Sequence, residues 1–258
     1  MIYSVKNFID HKFLLRELVL KGIKLKYRRS YLGILWSLLE PILMTIVLTI
    51  IFGTLFGNNN KQYPFYILSG RLLFSYFSSA TNMGLRSIRA NASMIKKVYV
   101  PKYLYVLSNV IYTYMIFIIS MVVLLGLAAI LRIPPTWYLL LVWVPLVLLF
   151  LTAFGVSMIL ATVGVFFRDM EYLWGIIMTL IMYASAIFYY PEKILASKHG
   201  WILKYNPLYQ IIDLFRDCLL GRPMDSFALI YSVSFAIGSI VIGCLLFVKK
   251  QDKFILYI

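Results

Sequence analysis

The sequence predicts an all-α polytopic membrane protein with about six spanning helices, an amino-terminal amphipathic interfacial helix and two short external helices before the last span. Three observations carry this. Of the 258 residues 62% are hydrophobic and 14% charged, too few polar groups to cover a soluble core. The apolar residues come in long blocks, and residues 104–131, 133–167 and 226–248 hold no charge at all. Each exceeds the roughly 20 residues a helix needs to cross a bilayer, and none alternates as a barrel strand would. The formal net charge is +15, and the basic residues gather between the blocks. In a chain this apolar the membrane surface accounts for them, so no nucleic-acid partner is expected.

The first element is amphipathic. Stepping 100° per residue over 14–28 sets Glu17, Lys21, Lys24 and Arg28 along one stripe, with Leu14, Leu18 and Leu25 beside it and Leu15, Val19 and Ile23 widening the apolar face. This predicts a helix in the membrane interface within residues 1–32, anchored by Lys21, Lys24, Lys26, Arg28 and Arg29. A plain basic flank of the first span is the simpler alternative.

Spans are expected at 33–56, 65–85, 104–131, 137–166, 172–190 and 227–248, as one transmembrane domain over 1–258. The first contains Glu40 and Pro41. Either Pro41 opens the helix with Glu40 favoured by the helix dipole, or Glu40 faces a polar path or a basic partner. Gly53 and Gly57 form a GxxxG pair at the far end of this span. The fourth block contains Pro145 and is read as one tilted or kinked helix. The turn Arg168–Glu171 is short, and Asp169 is placed to cap the next helix.

Basic residues set the orientation. Lys6 to Arg29, Arg86 to Lys102 and Lys249 to Lys253 fall on one side of a six-span topology, so both termini and the 91–102 link are expected to be cytosolic. The 191–225 link is then external. Its five basic residues are nearly balanced by Glu192, Asp213, Asp217 and Asp225. Within it Asn206 can cap a helix with Pro207 at its first position. Leu208, Ile211, Ile212, Phe215 and Leu219 continue at helical spacing, and Gly221 stops it. A weaker apolar pattern over 191–205 predicts a second short helix.

Catalytic equipment is sparse. The two histidines, His11 and His199, fall on opposite sides of the membrane, and no Cys/His cluster has metal-ligand spacing. There is no GxxxxGK[ST] motif, so the chain is expected to bind no ATP through a P-loop of its own. It is read as a non-enzyme that carries no cofactor. Cys218 and Cys244 imply no disulfide framework. Aromatic residues make up 17% of the chain. Tyr183, Phe188, Tyr189 and Tyr190 gather at the external end of the fifth span, with Phe74 and Phe77 in the second. Rings of this kind anchor helices at the interface and also stack on sugar faces, so these six are candidate wall residues of a translocation path.

Four segments, LKYRRSYLGILWSLLEPIL, SMIKKVYVPKYL, FFRDMEYLWGIIMTLIMYASAIFYYPE and NPLYQIIDLFRDCLLG, occur in that order over nearly the whole chain. Together they resemble the membrane subunit of ABC type-2 exporters for polysaccharides and polyol phosphates. The resemblance implies a homodimer in the bacterial cytoplasmic membrane, served by two copies of a cytosolic subunit that binds ATP and Mg. It also implies a polyprenyl-diphosphate-linked glycan as substrate. It places the ATPase-coupling region at Asn91, Ala92, Ser93, Met94, Ile95, Lys96 and Lys97, with Met94 and Ile95 suited to an apolar cleft on the partner. It places an extracellular gate at 191–221. In the resembling proteins the residue before the proline varies, which favours reading Glu40 as a helix-start or packing residue. The alternatives are an ABC-type exporter of a small lipid or drug, and an ion-coupled secondary transporter. The latter needs ionisable groups within the membrane, for which only Glu40 and Arg71 qualify, both read as near span ends.

Overall fold

The computed structural model describes residues 11–28, 30–56, 60–97 and 100–257, and among these it contains helices and no strand. The helices are α1 (Lys12–Tyr27), α2 (Trp36–Phe56), α3 (Tyr63–Ala90), α4 (Ala92–Ile95), α5 (Tyr103–Ile130), α6 (Trp143–Phe166), α7 (Met170–Tyr183), α8 (Glu192–Leu195), α9 (Trp201–Lys204), α10 (Pro207–Leu220), α11 (Ser226–Lys250) and α12 (Phe254–Tyr257). Four stretches are long and apolar enough to cross a membrane: Gly33–Leu55, Tyr103–Ile130, Trp137–Phe166 and Ser226–Tyr257. With the 28-residue α3 and the apolar α7 beside them, the chain is a polytopic all-α membrane protein.

α6 is the axis of the bundle. Gly155 of α6 and Gly243 of α11 meet so closely that a methyl group on Gly243 would lie 2.7 Å from the Gly155 carbonyl oxygen. On the α3 side the Ser157 hydroxyl donates to the Ala80 carbonyl at 3.2 Å. Small residues let these backbones approach where no hydrophobic force between helices exists in lipid.

One end of the bundle is basic. There Leu15 and Val19 of α1, Ile88, Ile95, Leu104, Met158, Val165, Phe247 and Phe254 share one apolar cluster. It gathers α1, α4, the end of α11 and α12. Lys102 Nζ also donates to the Gln251 carbonyl at 2.7 Å. At the opposite end α10 packs against α3, α6 and α11.

Several expectations change. The fifth block is helical only to Tyr183. Its 14 residues rise about 21 Å, short of the roughly 30 Å hydrocarbon layer. Residues 184–190 turn instead, with Ala186 at φ 46°, and its carbonyl accepts from Tyr66 Oη at 2.9 Å. The Pro145 block forms one span, Trp137–Phe166. A 3-10 turn (Trp137–Leu141) leads into α6, and Pro145 falls in the first turn of α6, where a missing N–H leaves no bond broken. The amphipathic helix is present, but its most buried residues are Leu15 and Val19, while Leu25 is exposed. The reason is protein contact: α1 lies on α5, with Gly22 close against the Tyr112 ring. Asp169 makes no side-chain cap. Glu171 acts there instead, pairing with Arg86 Nε at 2.8 Å and with Arg89, and so ties α7 to the basic end of α3. Gly57 of the glycine pair lies outside the described residues.

Candidate functional site: a polar cleft within the spans

The site begins at Pro41. The helix-start reading fails, because α2 opens at Trp36 and Pro41 lies inside it. An internal proline leaves the carbonyl four residues earlier without its N–H partner. Here that carbonyl belongs to Ser37, and the Ser120 hydroxyl of α5 reaches it at 2.9 Å, sharing its one proton with the Ile116 carbonyl of its own helix at 3.0 Å. Pro41 and Ser120 thus lock α2 to α5 at a defined height, and that contact aims Glu40.

Glu40 faces a cavity of about 120 Å³ between α2, α3 and α5. Arg71 of α3 and Lys26 at the end of α1 line it as well, with the hydroxyls of Ser37, Ser75, Ser79, Thr113 and Ser120. The two ionisable residues read separately from the sequence therefore share one cleft. Arg71 lies nearer to one end of α3 than to the other. It is eight residues into α3, roughly 12 Å from one end of that helix and 28 Å from the other. Among the described residues its polar contact is Nη1 to the Met182 thioether at 3.7 Å, a weak acceptor for a guanidinium. Arg71, Ser75 and Ser79 recur every four residues, so a polar stripe on α3 was legible in the sequence. The register that sets it opposite Glu40 and Ser120 was not.

A second feature lies at the opposite end. Arg216 of α10 is only 3% exposed. Its guanidinium stacks on the Tyr66 ring 3.4 Å from the centroid, and donates to the carbonyls of Tyr66 at 3.0 Å and Ala186 at 3.1 Å. Gly70 makes room for it: a Cβ there would meet Arg216 Nη2 at 2.6 Å. Arg216 thereby clamps α10 onto α3 and onto the turn after α7. It was missed in the sequence, although it lies within 40° of Ile212 on a helical wheel and so falls on the buried face. Beside it a cavity of about 230 Å³ is lined by Tyr66, Tyr190, Glu192, Asp213, Asp217 and Arg222, among others. Burial raises the Asp213 carboxyl, against the pull of Arg216 and Arg222, and raises Asp217 to about 6.

The expected wall residues separate. Phe74, Phe77 and Phe188 are buried, the last stacked on Phe52 at 4.9 Å between centroids. These three pack inside the protomer, and Phe77 also borders a cavity with Trp174, Tyr205 and Phe235. Tyr190 is half-buried against Tyr66, and the Tyr189 hydroxyl donates to the Tyr183 carbonyl at 2.6 Å. Tyr183 itself is 56% exposed.

The expected coupling residues also divide. Asn91 Nδ2 donates to the Ser87 carbonyl at 2.8 Å, Ala92 and Met94 are half-buried, and Ser93, Lys96 and Lys97 are exposed. Met94 lines a groove beside Leu14, Leu18 and Leu25 of α1. Ile95 points into the core of its own chain and offers nothing to a partner's cleft. Among the expected interfacial anchors, Lys21, Lys24, Lys26 and Arg28 are exposed, and Arg29 lies outside the described residues.

The sequence matches the family described as ABC-2 type transporter over residues 14–220. The chain belongs to that family. ABC-2 membership implies an ATP-binding partner subunit. Among the relatives of this ABC-2 transporter is an O-antigen export system permease protein RfbA of Klebsiella pneumoniae, 29% identical across 98% of this chain and 97% of that one. A protein of the same name from Myxococcus xanthus is 27% identical across 84% of each chain. The polysialic acid transport protein KpsM of Escherichia coli is 24% identical across 95% of this chain and 96% of its own.

Proposed function

We propose that this chain is the transmembrane subunit of an ATP-driven exporter that moves a lipid-linked polysaccharide or polyol-phosphate polymer across the bacterial cytoplasmic membrane. The observation that carries the reading is kinship along nearly the full chain with an O-antigen export system permease and a polysialic acid transport protein. The cleft supports it, since the exposed hydroxyls of Ser75 and Ser79 beside Glu40, Lys26 and Arg71 suit a hydroxyl-rich polymer better than an apolar drug. In this reading the basic end is cytosolic, with both termini and the 91–102 link facing the partner. Two copies of the chain pair with two ATP-binding subunits. ATP and Mg belong to those subunits, and no cofactor is held here. The carrier is a polyprenyl diphosphate, and its charge meets the basic residues of α1 at the interface. The coupling contact is made by Ser93, Lys96, Lys97 and the outer part of Met94. Residues 191–221 form the external gate, and Tyr183, Tyr189 and Tyr190 stand at its mouth.

The test is reconstitution of the chain with its ATP-binding subunit in liposomes, reading ATP-dependent movement of a lipid-linked glycan. Reversing the charge of Lys96 and Lys97 together should weaken co-purification of that subunit and slow transport. Movement of a small lipid or drug without glycan would establish the alternative exporter. Wild-type association and transport by the charge-reversed pair would remove this link as the coupling element.

A further inference from the structure

α7 is too short to fill the layer, and α8 and α9 follow its end. Leu203 of α9 and Ile194 of α8 pack with Ala186 of the turn after α7, while Leu195, Trp201, Ile202 and Tyr205 are exposed. The Tyr205 carbonyl accepts from the Tyr231 hydroxyl at 2.7 Å, and the two rings meet at 6.3 Å between centroids. Tyr231 stands five residues past the start of α11. α9 therefore sits at the level where the α11 span enters the layer. Beneath it a cavity of about 350 Å³ runs between α7 and α11, walled by Leu180 and Ile181 on one side and Phe235 on the other, with Ile202 and Tyr205 at its external end. Phe235 lies nine residues into α11, a depth of roughly 14 Å and so about one leaflet of the hydrocarbon layer. Asn206 also borders the cavity, but its carboxamide is engaged by the cap of α10 and by Ala184 and Ser185. The named walls are hydrocarbon and ring, which offer water no partners.

The rim is basic. Residues 192–205 hold Lys193, Lys198 and Lys204 against Glu192, and none of these lysines forms an ion pair among the described residues. Lys204 Nζ stands 5.1 Å above the Phe227 ring, which stacks on Tyr231, which in turn meets Tyr205 at the cavity. Asp225, beside Phe227, caps α11 by accepting from the N–H groups of Phe227 and Ala228. External links are ordinarily poor in lysine, so an unpaired group of three calls for an anion on that side.

We propose that this surface binds an anionic diacyl phospholipid of the outer leaflet, its phosphate on Lys204 and one acyl chain in the cavity between α7 and α11. Lys193 and Lys198 add to the field that selects a negative headgroup. Trp201 and Tyr205 stand at the headgroup boundary, the level that amphipathic rings favour. The acyl chain fills the space between α7 and α11 that the protein leaves open, and so steadies the short α7 and the helices above it. The inference takes from the proposed function only which leaflet is meant, and makes no use of the exported substrate.

The experiment uses the complex of this chain with its ATP-binding subunit in phosphatidylcholine nanodiscs, with phosphatidylglycerol as a minor fraction. One readout is phosphatidylglycerol retained per chain by mass spectrometry after exchange into detergent. The other is quenching of Trp201 by lipids brominated on the acyl chain, taken as the difference between the wild type and Trp201→Phe. Brominated phosphatidylglycerol should quench Trp201 at an about fivefold lower fraction than brominated phosphatidylcholine. Lys204→Gln should abolish that preference and Lys204→Arg should keep it. Lys204 is exposed, so both variants should fold. Ala184→Phe puts a ring into the cavity, and should lower phosphatidylglycerol retention with the unfolding temperature unchanged. Equal quenching by the two headgroups would make the surface ordinary boundary lipid and overturn the site. A preference that survives Lys204→Gln, or wild-type retention by a folded Ala184→Phe, would overturn it too. So would no quenching of Trp201 by either lipid, the result expected if a second copy of the chain covers this face. Glycan transport by a complex without the preference would end this inference and leave the function standing. The preference in a complex that moves no glycan would end the function and leave the site.

Discussion

At the scale of single residues the fold is decided by unsatisfied groups finding partners. Pro41 is the clearest case. In lipid no water can take up the carbonyl it orphans, so the only remedies are another donor or loss of the helix. Ser120 supplies the donor. Ser120→Ala should therefore destabilise the detergent-purified protein by about 1–3 kcal/mol, the usual penalty of a buried acceptor left bare. In a Pro41→Ala background the restored N–H can serve the Ser37 carbonyl, and the same substitution should cost far less. A double-mutant cycle in thermal unfolding reads the difference. Equal losses in both backgrounds would mean that Ser120 acts only by packing. Arg216 follows the same logic with charge: a buried guanidinium is tolerated because an aromatic face and two carbonyls receive it. The residues needed for both arrangements are in the sequence, but they come from segments 83 and 150 positions apart, so no local pattern links them.

Single helices were legible to different degrees. Asn206, Pro207 and Gly221 predicted α10 to the residue: the Asn206 carboxamide accepts from the N–H groups of Leu208 and Tyr209, and Gly221 takes φ 72°. Caps and glycines act within one turn, so the sequence suffices for them. The face an element buries depends on its neighbour. The amphipathic pattern of α1 fitted several rotations, and contact with Tyr112 of α5 selected the one that hides Leu15 and Val19. Leu15→Asp or Val19→Asp should then abolish folded, membrane-inserted protein, while Leu25→Asp, exposed at 55%, should express near the wild-type level. Quantitative blotting of membranes after alkaline extraction compares the three. If Leu25→Asp fails as fully as the others, α1 lies with that face in lipid and its contact with α5 is secondary. The fifth block shows the opposite limit. Its composition is apolar to residue 190, yet the helix stops at Tyr183 because Ala186 and the turn around it are held by Tyr66 and Arg216 from elsewhere.

For the whole molecule the positive-inside pattern predicts which end faces the cytosol, and α1, the 92–95 helix, the end of α11 and α12 come together at one basic end. Cysteine labelling in a background without Cys218 and Cys244 should mark position 198 from outside the cell and position 97 only after permeabilisation. Labelling of both from the same side would reject the orientation. The sequence by itself determined the class of molecule, the span-length blocks, the amphipathic first helix and the caps of α10. These follow from composition, periodicity and short-range chemistry, which a linear chain displays directly. Only the tertiary structure decided that Glu40 and Arg71 line one cleft, that Phe74, Phe77, Phe188 and Ile95 are buried packing, and that α10 is clamped into the bundle by Arg216. Those outcomes depend on the register and rotation of one helix against another. In a bilayer small residues and paired polar groups set that register through contacts between distant segments, and hydrophobicity, equal on every lipid-facing side, carries no information about it.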